Sequence, residues 1–585
     1  MKALLFAVGL ATVGCQKPAE PSAAPPPRPP PAAKATPRAD KPATPSPHVE
    51  VLKAVEPPSP AVPIEPESVE AVTLQVVAAP VVANALKELA RVYGGRPGGG
   101  AVEVESGELY DALKQLGTSG GDLLVTEGWA ALEVARAAGI LAADAGRTVT
   151  HLELAVTLSG AMAGEAKALA DLDRRGVKVG IPDPSSTSGG QAARRLMARA
   201  SLQRRFQERT LPMGADTALK DGTVDAWIGW GKVKGAGVPL ALPAGLGELM
   251  PIPAAVTVLS KHPREAARFL EFLASDDAVE VWRAAGTTPR PAADACTIAT
   301  VLPGKLPAPR RSAGVAVVGR RVLLIGGEGG GTLLDTLTWY DPATLLSEDA
   351  AVRLPHALQG AVVGWSEARK EVAVAGGLTE SAPLDEILTW NASDGAVETL
   401  DVKLPLPMGG AGGLLAGDRL FVVGGRTSGG ALTDAIVRVD LAARTATRLA
   451  AGLPSPRASV GVAPGADGRL LVAGGDGEQG PIDELLRIDP ASEKVEILVT
   501  HLDRALSGPS VVPWHDGWLI VGGRAPKGTT DTVVYLGKDD RLTTQSTRLP
   551  WPLEEAAAVR LGEAIWVLGG LAPDRVEGRI ARLPQ

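Results

Sequence analysis

The sequence predicts a multidomain chain: a two-lobed α/β body, then an all-β ring of six blades, both carried behind a long extended leader. Three observations predict it. Between about residues 71 and 290, short apolar runs alternate with stretches of helical periodicity, which implies a parallel sheet covered by helices. From residue 297 onward, a strand ending in Gly-Gly returns six times, at intervals of 50, 48, 50, 48 and 47 residues. Such a period suits one four-stranded blade per repeat. Ahead of both lies a stretch too rich in proline for helix or inner strand.

With 585 residues the chain exceeds what one core serves, so several domains are expected. Hydrophobic residues make up 45% and aromatic residues only 3%, so the cores must be built from Val, Leu, Ala and Ile. A net charge of −7 argues against a nucleic-acid binder, which needs a basic face. It leaves small anions open, because backbone N–H groups and helix N-termini hold anions without net positive charge. The two cysteines, Cys15 and Cys296, allow no disulfide framework beyond one bridge.

The first element, residues 1–15, is an export signal. Met1-Lys2 supplies the positive start, and Ala3 to Val13 is an apolar run too short to span a bilayer. Thr12-Val13-Gly14-Cys15 resembles the lipobox of bacterial lipoproteins, with Thr12 where Leu is usual. The resemblance implies lipidation of Cys15; the alternative is an ordinary secretory signal cut nearby. Either exports the protein. Gln16 is not the Asp that often marks inner-membrane retention, so the expected home is the periplasmic side of the outer membrane or the cell surface.

Residues 16–70 form the tether. Pro25-Pro26-Pro27-Arg28-Pro29-Pro30-Pro31 should be extended and polyproline-like. At about 3.1 Å per residue, such a spacer reaches on the order of 150 Å.

The first folded domain spans 71–290. Val72 to Ala79 reads as a strand and Asn84 to Ala90 as a helix; Gly121 to Thr126, Val177 to Ile181 and Val224 to Gly229 read as further strands. The order of these segments resembles the type II periplasmic solute-binding proteins, most closely the molybdate and tungstate binders. The motifs that carry the resemblance are Ser106-Gly107, Asp122-Leu123-Leu124-Val125-Thr126, Leu169-Ala170-Asp171-Leu172, Asp183-Pro184, Asp221 to Ala226 and the late helix Pro263 to Leu270. It implies two lobes closing on an oxyanion, and a place alongside an ABC transporter. Carried over by position, Ser106 matches one ligand serine, and Val81 falls where the second would be. Ser185 and Ala215 fall where backbone donors serve, and Trp230 where a tyrosine hydroxyl helps. The missing hydroxyls at Val81 and Trp230 put molybdate itself in doubt.

The loop Asp183-Pro184-Ser185-Ser186-Thr187-Ser188-Gly189-Gly190 admits two readings: an anion nest, or a solvated turn ending in an N-cap.

The second folded domain spans 297–585. Its glycine pairs are Gly326-Gly327, Gly376-Gly377, Gly424-Gly425, Gly474-Gly475, Gly522-Gly523 and Gly569-Gly570, each after an apolar run. Asp335, Asp385, Asp434, Asp483 and Asp531 follow the first five at a near-fixed offset, as turn or hydrogen-bonding residues. The pattern resembles Kelch repeats and implies a six-bladed β-propeller. Since only 15 residues follow Gly570, the last blade lacks a strand, which residues 297–306 are placed to supply.

No catalytic motif emerges. The six His show no ligand spacing, only Tyr340 and Tyr535 lie in the propeller, and Cys296 reads as a small buried residue. No zinc motif, P-loop, dinucleotide fingerprint or nucleophile elbow is present. The expectation is a non-enzymatic, membrane-anchored binding protein without metal or cofactor. It would take a small solute, an oxyanion first among candidates, and a protein partner on the propeller. The alternative is a structural or adhesion lipoprotein whose first domain has lost its ligand.

Overall fold

Helix α1 shows how locally the first domain is encoded. Pro80 sits in its first turn, where the fixed φ and missing N–H cost nothing. Val82, Leu86, Leu89 and Tyr93 then recur at helical spacing and are all buried. The computed structural model describes residues 72–583, apart from 143–144, 212–214, 232, 234, 244–245, 292–295 and 393–394. The signal segment, Cys15 and the tether therefore lie outside the described residues.

The elements run β1 (Thr73–Ala78), α1 (Pro80–Gly94), β2 (Ala101–Ser106), α2 (Leu109–Ser119), β3 (Leu123–Val125), α3 (Gly128–Ala137) and β4 (Arg147–Leu158). Then come β5 (Lys178–Ile181), α4 (Ser188–Arg199), β6 (Gln207–Thr210), α5 (Ala215–Lys220), β7 (Ala226–Trp230), β8 (Val238–Leu240) and β9 (Leu249–Val256). Helices α6 (Pro263–Leu273) and α7 (Asp276–Ala284) complete the domain.

Strands β2, β1 and β3 are parallel, as are β6, β5 and β7. The first group packs against α1, α6 and α7 through Leu86, Phe269 and Trp282. The second packs against α4 through Ala192, Leu196 and Met197. These are the two lobes.

The sheet is mixed, which corrects the expectation of parallel strands throughout. Strand β4 runs antiparallel to β9 over Arg147–Glu153, then antiparallel to β7 over Leu154–Leu158, and so passes from one lobe to the other. Strand β9 contains Pro251 and Pro253, residues that argue against an inner strand. Their carbonyls remain usable: that of Pro253 accepts the Thr126 N–H at 3.0 Å.

Six four-stranded antiparallel sheets follow. The first blade comprises Gly314–Val318, Arg321–Ile325, Thr336–Asp341 and Leu346–Arg353. Glycine is required at Gly326: its φ is +61°, and a Cβ there would lie 2.4 Å from the Leu358 carbonyl oxygen. The recurring aspartates do the same work blade after blade. Asp335 pairs with Arg353 at 3.2 Å, Asp385 with Lys403 at 3.0 Å, Asp434 with Arg448 at 2.8 Å and Asp531 with Arg548 at 3.0 Å. Asp483 faces His501 at 3.4 Å.

Around the axis runs a closed circuit of backbone hydrogen bonds. Gly360 N–H donates to Ser312 O (2.8 Å), Gly410 to Gly360 (2.9 Å), Ser459 to Gly410 (2.8 Å), Gly508 to Ser459 (2.8 Å), Glu555 to Gly508 (2.9 Å) and Ser312 to Glu555 (3.0 Å). All six residues have φ between +50° and +63°. Three of them, Ser312, Ser459 and Glu555, are not glycine and bear a left-handed cost of about 1–2 kcal/mol each.

The ring closes through β11 (Thr300–Lys305), which pairs antiparallel with Arg579–Leu583 as the outermost strand of the sixth blade. Just before it, β10 (Thr297–Ile298) lies parallel to Thr547–Arg548 of the propeller and beside β9 at Leu249. The described residues from 72 onward thus belong to one compact unit. Helix α3 packs Val134 and Ala137 against Leu302 and Ile580. Glu133, 4% exposed, pairs with Arg136 and faces Arg582 at 3.6 Å. The Arg582 guanidinium also sits over the Trp129 ring, 5.6 Å from its centre.

Deleting residues 297–306 should lower propeller stability by at least about 2 kcal/mol, because it strips the ladder from the sixth blade. Urea unfolding checks this; an unchanged midpoint would show that the ring closes another way.

Candidate functional site

Parallel strands gather the loops that follow them on one edge. Ala78, Ser106 and Val125 lie at matching positions, so the turns after β1, β2 and β3 share an edge of the first lobe. In the second lobe, β5 ends at Ile181, beside β6 and β7, which collects the 183–190 loop, Ala215 and Trp230. Ligands of open α/β sheets bind at such carboxyl edges.

One chain of hydrogen bonds joins the two edges. Trp230 Nε1–H donates to Ser188 Oγ at 2.8 Å, and the Ser188 hydroxyl donates to Glu127 Oε1. Glu127 belongs to the first lobe as the N-cap of α3, and Ser188 opens α4 in the second. Burial pushes the Glu127 carboxyl above its ordinary range; the Ser188 hydrogen bond opposes this, and the charge of Glu108, the N-cap of α2, adds to it.

The 183–190 loop is the turn with an N-cap. Thr187 caps α4, its Oγ1 accepting the Gly190 N–H at 3.1 Å. The donors expected for an anion go elsewhere. Ser185 gives both its N–H (2.8 Å) and its hydroxyl (2.7 Å) to Asp183 Oδ1, and the Ser186 hydroxyl goes to Asp183 Oδ2 at 3.0 Å. These bonds hold the Asp183 carboxyl below its usual range. The Ser185 N–H, expected as a backbone donor, is held in this structure by the chain's own Asp183 carboxylate.

The remaining expected residues take their places on the two edges. Ser106 is exposed at the end of β2. Val81 is 46% exposed on the first turn of α1, and Ala215 is half-buried at the start of α5. Trp230 is half-buried, its indole N–H already committed to Ser188. Ser188 belongs to the loop that the sequence singled out, whereas Glu127 and Glu108 were given no role there. The signal available for Glu127 was a polar Thr126-Glu127-Gly128 step between a buried strand and a helix, where Gly128 adopts φ +77°.

Cavities elsewhere among the described residues include two that bear on function. One of about 400 Å³ occupies the propeller axis, lined by the six hydrogen-bonded ring residues with Arg311, Arg426, Asp476 and Arg524. The other, about 810 Å³, lies where β4, β8 and β9 meet the end of α7, and includes Cys296. Cys296 is buried beside Arg199, and burial raises its thiol pKa. Among the described residues, no cluster of His, Cys, Asp and Glu is arranged to hold a metal ion. No helix among them is long and apolar enough to cross a membrane.

Residues 74–288 match the family model of bacterial extracellular solute-binding proteins, and residues 309–346 match that of the Kelch motif. The chain combines a solute-binding domain with Kelch repeats. No curated protein matches it. Among solved structures, one described as that of YjhT shares 12% identity over 47% of this chain and 95% of its own, with a TM-score of 0.42.

Glu127→Gln should raise the thermal midpoint at neutral pH by ~1–3 °C, since it keeps the Ser188 contact and removes a desolvated charge. A carboxyl raised by folding destabilises above its unfolded pKa and is relieved as pH falls through its folded pKa. The gain must therefore shrink on acidification. Thermal melts across pH 4–8 check it; a gain independent of pH would remove the desolvation argument.

Proposed function

We propose that this chain is an exported, lipid-anchored binding protein, in which the first domain captures a small solute between its lobes and the propeller holds a protein partner. The observation that carries the reading is the Glu127–Ser188–Trp230 chain of hydrogen bonds, which joins the carboxyl edges of the two lobes. The match of residues 74–288 to solute-binding proteins supports it. The rim of the propeller axis, with Arg311, Arg426, Asp476 and Arg524 around an open cavity, supports partner docking. The protein acts by binding and without catalysis.

The resemblance to molybdate and tungstate binders makes oxyanions the first class to test. Calorimetry of the purified full chain with molybdate, tungstate, sulfate and phosphate should give heat for at least one of them if that class is right. Silence across these and a wider metabolite panel would sink the capture reading.

Anchoring rests on Cys15 in its lipobox-like setting, with the cell envelope as location. Cys15→Ser should move the protein from the membrane fraction to the soluble one; unchanged partitioning would refute lipidation.

A second reading, a structural or adhesion lipoprotein with a ligandless cleft, draws on two observations. Val81 lacks a hydroxyl, and the Ser185 N–H is taken by Asp183. A stable envelope partner together with silence to every solute would favour it.

A further inference from the structure

Two arginines stand at equivalent points of the ring, and only one of them has its charge answered. Ala308-Pro309-Arg310 and Ser455-Pro456-Arg457 occupy the same place in the repeat. Each arginine carbonyl accepts the N–H of the second glycine of a pair, Gly570 and Gly425 respectively, at 2.8 Å. Each guanidinium donates through Nη1 to the carbonyl of the first glycine in the next blade, Gly326 at 3.1 Å and Gly474 at 3.5 Å. Arg310 is 1% exposed and Arg457 0%. The other four blades place Leu358, Met408, Leu506 and Leu553 at this point and so bury no charge there.

Arg457 has two further partners, both on Nη2. The Ser455 hydroxyl accepts at 2.6 Å and Glu484 Oε2 at 2.5 Å. In the seam between the sixth and first blades both are replaced. Ala308 stands where Ser455 does. Thr336 stands where Glu484 does, because Gly326 donates to the Thr336 carbonyl as Gly474 donates to that of Glu484, at 3.0 Å in each case. Among the described residues, Arg310 Nη2 and Thr336 Oγ1 are both buried without a hydrogen-bond partner.

The nearby acids do not make good the loss. Asp349 acts on Arg310 through space, but no ion pair joins them, and its Oδ1 holds the Thr338 hydroxyl at 2.6 Å. Glu577 is shared by Arg575 and Arg579. Burial pushes the Arg310 guanidinium down to about 10, with Asp349 opposing. A guanidinium shut away from water without a counter-charge is costly. A water molecule would satisfy an N–H and leave the charge standing. An anion answers both, since it accepts from the guanidinium and from the threonine hydroxyl. Arg310 and Thr336 are too deeply buried for a large oxyanion or a peptide carboxylate, which leaves a monatomic ion.

We propose that the seam between the sixth and first blades binds a halide, held by Arg310 Nη2–H and the Thr336 hydroxyl in the place that the Glu484 carboxylate fills in the fourth blade. Chloride is the ion expected. The site is separate from the first domain and from the propeller axis, and it stands whether or not a solute is captured. Its effect is structural. The Arg310 N–H donates to the Glu577 carbonyl of the sixth blade at 3.0 Å while its guanidinium holds the Gly326 carbonyl of the first, so the ion fastens the seam at which the ring closes.

The test is scanning calorimetry of the full chain in sodium chloride, with sodium gluconate keeping the ionic strength constant. From none to about 200 mM chloride, the propeller midpoint should rise by at least about 2 °C. Thr336→Glu supplies a carboxylate as the fourth blade does, and Arg310→Leu installs the residue found at three equivalent points. Both variants should lose the chloride dependence, and the first tests the idea even if the second fails to fold. A crystal grown in sodium bromide should show anomalous density within hydrogen-bond distance of Arg310 Nη2 and Thr336 Oγ1. A midpoint indifferent to chloride, or a dependence that survives Thr336→Glu, would overturn the assignment. A bromide peak at the site with no effect on the midpoint would mark an adventitious ion only, and would overturn it too.

Discussion

The pairing of β11 with Arg579–Leu583 is the contact on which the rest depends. A ring of blades has two chain ends, and without a strand from one end the last blade exposes an unpaired edge. Here the strand that completes the sixth blade comes from the N-terminal end of the propeller. Its place in sequence ties more than the ring. Immediately before it, β10 bridges β9 of the solute-binding domain and Thr547–Arg548 of the propeller. Helix α3 then packs on the strand itself. One closing strand thereby fixes the ring, orients the linker and provides the floor on which the first domain sits.

Both helices that start at the joined carboxyl edges also reach the junction. Helix α3 begins at the Glu127 cap and carries Glu133 and Arg136 further along, where Glu133 faces Arg582 of the propeller. Helix α4 begins at Ser188 and ends at Arg199, which pairs with Glu248 at 3.0 Å and reaches the Cys296 sulfur at 3.6 Å. Each helix thus has its N-terminus at the Glu127–Ser188 contact and its C-terminal half at the join. Glu248 is 2% exposed and is also held by Arg195, so the second helix is anchored by a buried ionic group rather than by apolar contact alone. Burying those charges is costly, and their mutual pairing offsets the cost only in this one geometry.

How much of this could be read beforehand follows from what each feature demands of its residues. The six glycine pairs were legible because a positive φ at both glycines, and at the first a carbonyl oxygen 2.3–2.5 Å from any Cβ, leave no other choice. The recurring aspartates were legible as structural for a similar reason, since each has a basic partner further along its own blade. Strand β9 was not, because Pro251 and Pro253 carry the signature of a loop, and only its neighbours reveal that their carbonyls are used. The cleft was half legible. Strand order located its edges, but Glu127 reads as an ordinary helix start, and its meaning comes from Ser188, 61 residues away. The fate of the Ser185 N–H likewise depended on whether Asp183 turned toward it.

A repeat constrains backbone and leaves side chains free, and the axis of the propeller displays both halves of that rule. The six residues that follow the glycine pairs make the same bridge in every blade: Glu328 with Arg311, Leu378 with Gln359, Arg426 with Gly409, Asp476 with Ala458, Arg524 with Ser507 and Leu571 with Glu554. The backbone is six-fold, but the chemistry is not. Glu328, Arg311 and Glu555 form one run of ion pairs, and Glu554, Arg524, Asp476 and Arg426 form another. The second blade offers only Gln359 and Leu378. Buried arginines diverge in the same way: Arg457 finds Glu484 at 2.5 Å, whereas the equivalent Arg310 donates to the Gly326 carbonyl at 3.1 Å and leaves Nη2 without a partner. Symmetric architecture with asymmetric charge means that anything seated on the rim meets one favourable rotation out of six. The repeated backbone supplies the platform, and the exceptions to the repeat supply its orientation.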